Sequence, residues 1–218
     1  MEIVEIILLS DNLAETEHFY SKTIGFDVAE KHENSISFKA GSSLLTFIKS
    51  DNLNPIYHFA FNIPRNRFHE AVYWSSLRVS LINNENGETV TDFRNWNAKA
   101  FYFYDNNGNV LEFIARFGLE NESVNDFEGS SIQSISEIGI VADSPLKLAE
   151  TLIKDYNVSY FDKGPRMEKF AVLGDDNGLL IISKAKRHWY PTLIESQRFY
   201  TKIKILKDGV PKEIEVEK

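Results

Sequence analysis

Phe103-Tyr104-Asp105-Asn106-Asn107-Gly108-Asn109-Val110-Leu111-Glu112-Phe113 joins an aromatic run to an apolar one across one Asp, three Asn and a Gly. Asn-Gly pairs accept left-handed backbone, so the centre reads as a tight turn and the flanks as strands. A shorter echo stands at Asp175-Asp176-Asn177-Gly178-Leu179-Leu180-Ile181-Ile182. A second echo links Glu5-Ile6-Ile7-Leu8-Leu9-Ser10-Asp11-Asn12-Leu13 to Glu137-Ile138-Gly139-Ile140-Val141-Ala142-Asp143-Ser144-Pro145. Self-similar segments indicate a repeated supersecondary unit, which must stack on a neighbour to cover its sheet face.

Working outward, each unit reads as β, α, β, β, β. In the first, Ile3–Leu9 is an apolar strand, Leu13–Lys22 a helix and Gly25 its stop, and Phe26–Glu30, Ser35–Lys39 and Ser43–Ile48 are strands. The second has a strand at Tyr57–Ile63, a helix at Phe68–Leu77, and strands at Val79–Ile82, Asn97–Tyr104 and Val110–Ala115. The third has a strand at Ile135–Val141, a helix at Pro145–Tyr156, and strands at Val158–Asp162, Lys169–Leu173 and Leu179–Ser183. The tail adds one strand, Lys202–Leu206, and a turn at Lys207-Asp208-Gly209. The expected class is therefore α+β: paired βαβββ modules forming a cupped mixed sheet, plus a third half-module. Residues 1–118 are expected to form the two-module domain, 119–132 a linker, and 133–218 the third module with its tail.

Composition narrows the partners. The 218 residues carry a formal charge of −8, which disfavours nucleic acid and anionic lipid, since both reward positive patches. There is no cysteine, so thiolate catalysis, Cys-ligated metal and disulfides are excluded. The start, MEIVEIILLSDN, lacks the basic residues and cleavage site of a signal peptide, and its apolar run is too short to span a bilayer. The expected location is the cytoplasm, with a small molecule as partner.

Leu13…Phe19-Tyr20…Ile24-Gly25-Phe26 resembles the opening motif of the vicinal oxygen chelate superfamily, and Phe103–Phe113 resembles its closing motif. That superfamily includes glyoxalase I, extradiol dioxygenases and metal-free bleomycin-binding proteins. The resemblance implies metal ligands on the first and last strands of each unit, at Glu5, Thr46, His58 and Glu112. Of these, Glu5, His58 and Glu112 form the expected ligand set for a divalent ion (Zn, Mn, Fe, Co or Ni). Glu5 and Glu112 are the candidates for proton transfer, and Arg116, Thr46 and Trp96 for substrate contact. Glu137 holds the first-ligand position of the third unit, where Ile182 stands at the last-strand position and weakens the case for a second site. The aromatic cluster His188-Trp189-Tyr190-Pro191-Thr192 is a candidate lid or a packed tail.

Three functional classes stay open at this level. One is a metal-dependent lyase, isomerase or dioxygenase acting on a small molecule with adjacent oxygens. Another is a metal-free protein that binds or sequesters an antibiotic-type ligand in an aromatic cavity. The last is a structural partner with a vestigial cup, in which Glu5 is tied to Arg116. An unpaired third unit would seek either the chain's own first domain or a second copy, giving a homodimer.

Overall fold

The computed structural model describes residues 1–51 and 53–216. In chain order its elements are β1 (Glu2–Ser10), α1 (Leu13–His18), β2 (Val28–His32), β3 (Ser35–Ala40), β4 (Ser43–Lys49), β5 (His58–Asn62), α2 (Phe68–Ser76), β6 (Leu81–Ile82), β7 (Thr91–Phe93), β8 (Ala98–Tyr104), β9 (Val110–Arg116), β10 (Ser134–Ala142), α3 (Pro145–Tyr156), β11 (Arg166–Met167), β12 (Phe170–Asp175), β13 (Gly178–Lys184), β14 (Thr201–Lys207) and β15 (Val210–Val216). The three βαβββ modules are thus present, as the repeats imply.

Each helix starts or stops for a local reason. The Asn12 side chain accepts the amide of Glu15 and caps α1, which widens into a π-helical turn, Phe19–Ile24, and stops at left-handed Gly25. Pro145 occupies the first turn of α3, where its missing amide costs nothing, and Asn157 ends it in the left-handed region. The expected strand over Val158–Asp162 does not form; only Tyr160 bridges, to Leu173. Conversely, β15 was not anticipated. It pairs along its length with β14, closing a hairpin through Asp208-Gly209.

Within every module the first and last strands run parallel: β1 with β4, β5 with β9, β10 with β13. The module partnership differs from the expected one. β5 pairs antiparallel with β10, so the second module closes a cup with the third. β1 pairs antiparallel with β14, and its ladder with β10 is the single pair Ile3–Ile135. The first module is therefore completed by the C-terminal hairpin rather than by the second module. Strand pairing between modules is non-local, and the βαβββ letters carry no mark of which edge meets which. With β10 held between β5 and β13, the third module is paired within the chain.

Alternation along the strands sorts side chains between two faces. On the helix-covered side, Ile6, Leu8, Phe47, Phe59, Phe61, Leu111, Phe113, Ile138 and Ile182 share one large apolar core. On the concave side, Ala60, Tyr102, Ile114, Ile181 and Trp189 form a smaller cluster. Ile182 thus faces the helices, and Ile181 is the inward residue of that strand. Among the described residues, no helix is long and apolar enough to cross a membrane.

The two sequence motifs explain each other structurally. The Tyr20 hydroxyl donates to Asp105 Oδ2 at 2.7 Å. Asp105 also accepts from the Asn109 side chain (2.8 Å) and from the amides of Asn107 and Asn109 (2.9 Å each). The aromatic-rich opening and the turn are thereby one buried joint between the first and second modules.

Candidate metal centre

Strand register builds the site. Opposite Ala60 of β5 lie Glu112 on β9 and Glu137 on β10, so the two carboxylates flank one small residue on the same face. Two residues before Ala60, His58 projects into the same hollow. His58, Glu112 and Glu137 each place a ligand-type atom within 4.8 Å of the others, and all three are buried. His58 Nε2 and Glu112 Oε2 are 3.7 Å apart.

Register also relates the modules. Glu5, His58 and Glu137 occupy matching places, two residues before the pairings Ile7–Thr46, Ala60–Glu112 and Gly139–Ile181. The inward last-strand residues are therefore Thr46, Glu112 and Ile181. In the cup of modules two and three, the four places hold His58, Glu112, Glu137 and Ile181. Three can ligate and the fourth is apolar.

Glu5 and Thr46, expected at the site, meet elsewhere. Thr46 donates its hydroxyl to Glu5 at 2.6 Å, and Lys204 of β14 pairs with Glu5 at 2.7 Å. Glu5 is not part of the His58 cluster, because the first module turns its concave face to the hairpin. Glu137 takes the place assigned to Glu5. The signal was present in the sequence, since Glu137 aligns with Glu5. What letters could not supply was which modules share a cup.

Arg116 is on the expected strand and face, but it is fully buried. Its Nε donates to Ser136 Oγ at 3.1 Å and its Nη2 bonds Glu137 Oε1. It is thus the counter-ion of Glu137, neither the partner of Glu5 nor a free group for a substrate. Trp96 does line the cavity, with Phe93, Tyr102, Phe170, Ile181, Arg187, Trp189 and Tyr190 around the three ligating residues. The cavity measures about 250 Å³. Trp189 and Tyr190 belong to a small antiparallel turn in which His188 bridges Glu195. The Trp189 ring sits 5.4 Å from the His58 ring, and the Tyr190 ring 5.7 Å from that of Tyr102. The C-terminal aromatic cluster therefore covers the cup.

The charge balance suits a cation. Burial pushes Glu112 well above the usual carboxylate range and Glu137 adds to this, while Arg116 and the Tyr102 hydroxyl oppose it. Burial likewise raises Glu137, with Arg116 opposing. One buried guanidinium faces two buried carboxylates, an arrangement that is costly when both ionise. Burial lowers His58 to about 4, so its ring is neutral near pH 7. His58 Nδ1 lies 2.9 Å from the Val110 carbonyl, which fixes the proton on Nδ1 and leaves the Nε2 lone pair facing Glu112. A neutral, oriented imidazole beside two carboxylates matches the donor set of a divalent cation, so the residues present fit such an ion.

The fold is of the glyoxalase type, with paired βαβββ modules around a cupped sheet. No family model matches the chain, and no curated protein matches it in sequence. The likeness is structural. A candidate dioxygenase from Bacillus subtilis subsp. subtilis str. 168 superposes with a TM-score of 0.62 at 12% identity, over 99% of this chain and 84% of that one. A mutant glyoxalase I from Zea mays gives 0.57 at 12% identity, over 89% and 70%.

Proposed function

We propose that the protein is a divalent-metal-dependent enzyme that acts on a small molecule carrying adjacent oxygens, with His58, Glu112 and Glu137 as the metal ligands. The observation that carries this reading is the convergence of three buried ligand-type side chains with an oriented histidine, at the floor of an aromatic-walled cavity. When bound, a divalent ion would supply Lewis-acid stabilisation of negative charge on substrate oxygen.

The chain's own residues do the rest. His58, Glu112 and Glu137 hold the cation, and Ile181 in the fourth place keeps a position open for substrate. Trp96, Tyr102, Trp189 and Tyr190 confine the ligand and exclude water. Glu112, raised by burial, is the carboxylate suited to take and return a proton. Arg116 holds Glu137 in place from beneath.

Elemental analysis after loading with Zn²⁺, Mn²⁺ or Ni²⁺ tests this. One equivalent in the native protein is expected, with near-complete loss in His58→Ala and Glu137→Gln and full retention in Glu5→Gln. Absence of stoichiometric metal in the native protein would instead favour a metal-free ligand-binding protein using the same aromatic cavity.

A further inference from the structure

Among the described residues, Arg187 is the only cation lining the cavity. Its guanidinium lies over the Phe170 ring, 4.2 Å from the centroid, so it is held against the cavity wall by stacking. Every other arginine near the site is spoken for: Arg116 by Glu137 and Ser136, and Arg198 by Asp143 and the Val141 carbonyl. Among the described residues, no acid lies within 4 Å of the Arg187 nitrogens. Burial alone lowers its pKa, without an opposing contribution from a neighbouring carboxylate. A half-buried, stacked and unpaired guanidinium facing a cavity lacks an anion.

A second donor lacks a partner at the same place. Trp189 lines the cavity, and its Nε1–H is buried with no hydrogen bond. A buried donor left unsatisfied costs about 1–3 kcal/mol. The remaining walls are Phe93, Trp96, Tyr102 and Ile181, which suit a flat apolar body. About 250 Å³ lies below the ~300–1,000 Å³ usual for drug-sized ligands, so the occupant is small, on the order of one substituted ring.

We infer that the ligand is a small aromatic acid, its ring held between the aromatic walls and its carboxylate bound by Arg187, with the oxygens that meet the His58–Glu112–Glu137 floor at its other end. This rests on the proposed cavity function but adds a substrate class and a specificity-determining residue to it. Bidentate guanidinium–carboxylate pairing is stronger and more directional than a neutral hydrogen bond, so the charge on the ligand should be read sharply.

The test is a binding titration by tryptophan fluorescence, on Zn²⁺-loaded and on metal-stripped protein. The probes are 3,4-dihydroxybenzoate, 3,4-dihydroxybenzamide and catechol, with benzoate and benzamide as the pair without adjacent oxygens. The expected result is a preference of about tenfold or more for each acid over its amide. Arg187→Gln should bring that ratio close to one. A ratio near one in the native protein, failure of both acids to bind, or an acid preference that survives Arg187→Gln overturns the inference. Failure of the metal reading shows separately: dihydroxy and unsubstituted probes then bind alike with and without Zn²⁺, while the benzoate–benzamide ratio still reports on Arg187.

Discussion

Asp105 shows how one residue can decide a fold without touching the site. It is buried and accepts four hydrogen bonds, one of them from Tyr20 in the first module. Removing its carboxylate strands three donors in the interior, because Tyr20 and both Asn109 donors are buried with it. Asp105→Ala is expected to cost about 3 kcal/mol or more and Tyr20→Phe about 1 kcal/mol, both read from urea denaturation. His58 gives the pH prediction at this scale. Its folded pKa of about 4 lies below the ordinary histidine value, so the unfolded chain takes up the proton first as pH falls. The stabilising contribution of neutral His58 is complete above about pH 6.5 and is lost as pH drops toward 4. NMR of metal-free protein should find the ring neutral, with its proton on Nδ1, at pH 5.5; a midpoint near 6.5 would contradict the burial argument.

At the scale of elements, the cup depends on a place where a side chain is missing. A Cβ on Gly139 of β10 would come within 2.7 Å of the Trp189 ring and 3.1 Å of the His58 carbonyl oxygen. Trp189 can cover His58 only because that position is bare. Gly139→Ala is therefore expected to displace the covering turn, cost about 1–3 kcal/mol, and weaken ligand binding more than metal binding. Denaturation and binding titrations check this, and an unchanged ligand affinity would refute the covering role. The elements themselves were largely legible: apolar alternation, the Asn-Gly turn and the repeated letters located nearly every long strand and all three helices. The strand expected at Val158–Asp162 reduces to an isolated bridge, Tyr160 to Leu173, flanked by backbone hydrogen bonds from Phe161 to Val172 and from Gly174 to Ser159, so it runs beside β12 without a full ladder. β15 escaped notice because Val210–Val216 alternates charge with few apolar residues, and its pairing to β14 rests on register and on opposite charges such as Lys202 with Glu213.

At the scale of the whole molecule, two cups have diverged. The cup of modules two and three keeps three inward ligand-type residues. The cup of module one and the hairpin holds Glu5, Thr46 and Lys204, a paired and hydrogen-bonded set with a cation in place of a ligand. His58 and Glu112 were legible as members of the candidate cluster from the repeats and the family resemblance. Glu137 and the demotion of Glu5 were not, because module pairing is set by edges far apart in sequence. The hairpin matters for stability rather than for chemistry: Ile203, Ile205 and Ile214 are buried in the large core. Ile205→Ala should cost ~2–5 kcal/mol in denaturation while leaving the metal stoichiometry of folded protein unchanged. A cost below about 1 kcal/mol would mean that the hairpin packs only peripherally.

The pairing of modules and the chemistry of the floor meet in a single observable, the position of a bound ion. Anomalous diffraction from a crystal soaked in Mn²⁺ or Ni²⁺ should give one strong peak within ligand distance of His58 Nε2 and of carboxylate oxygens from Glu112 and Glu137, and none at Glu5. A peak at Glu5, or no peak near His58 at saturating metal, would contradict the account.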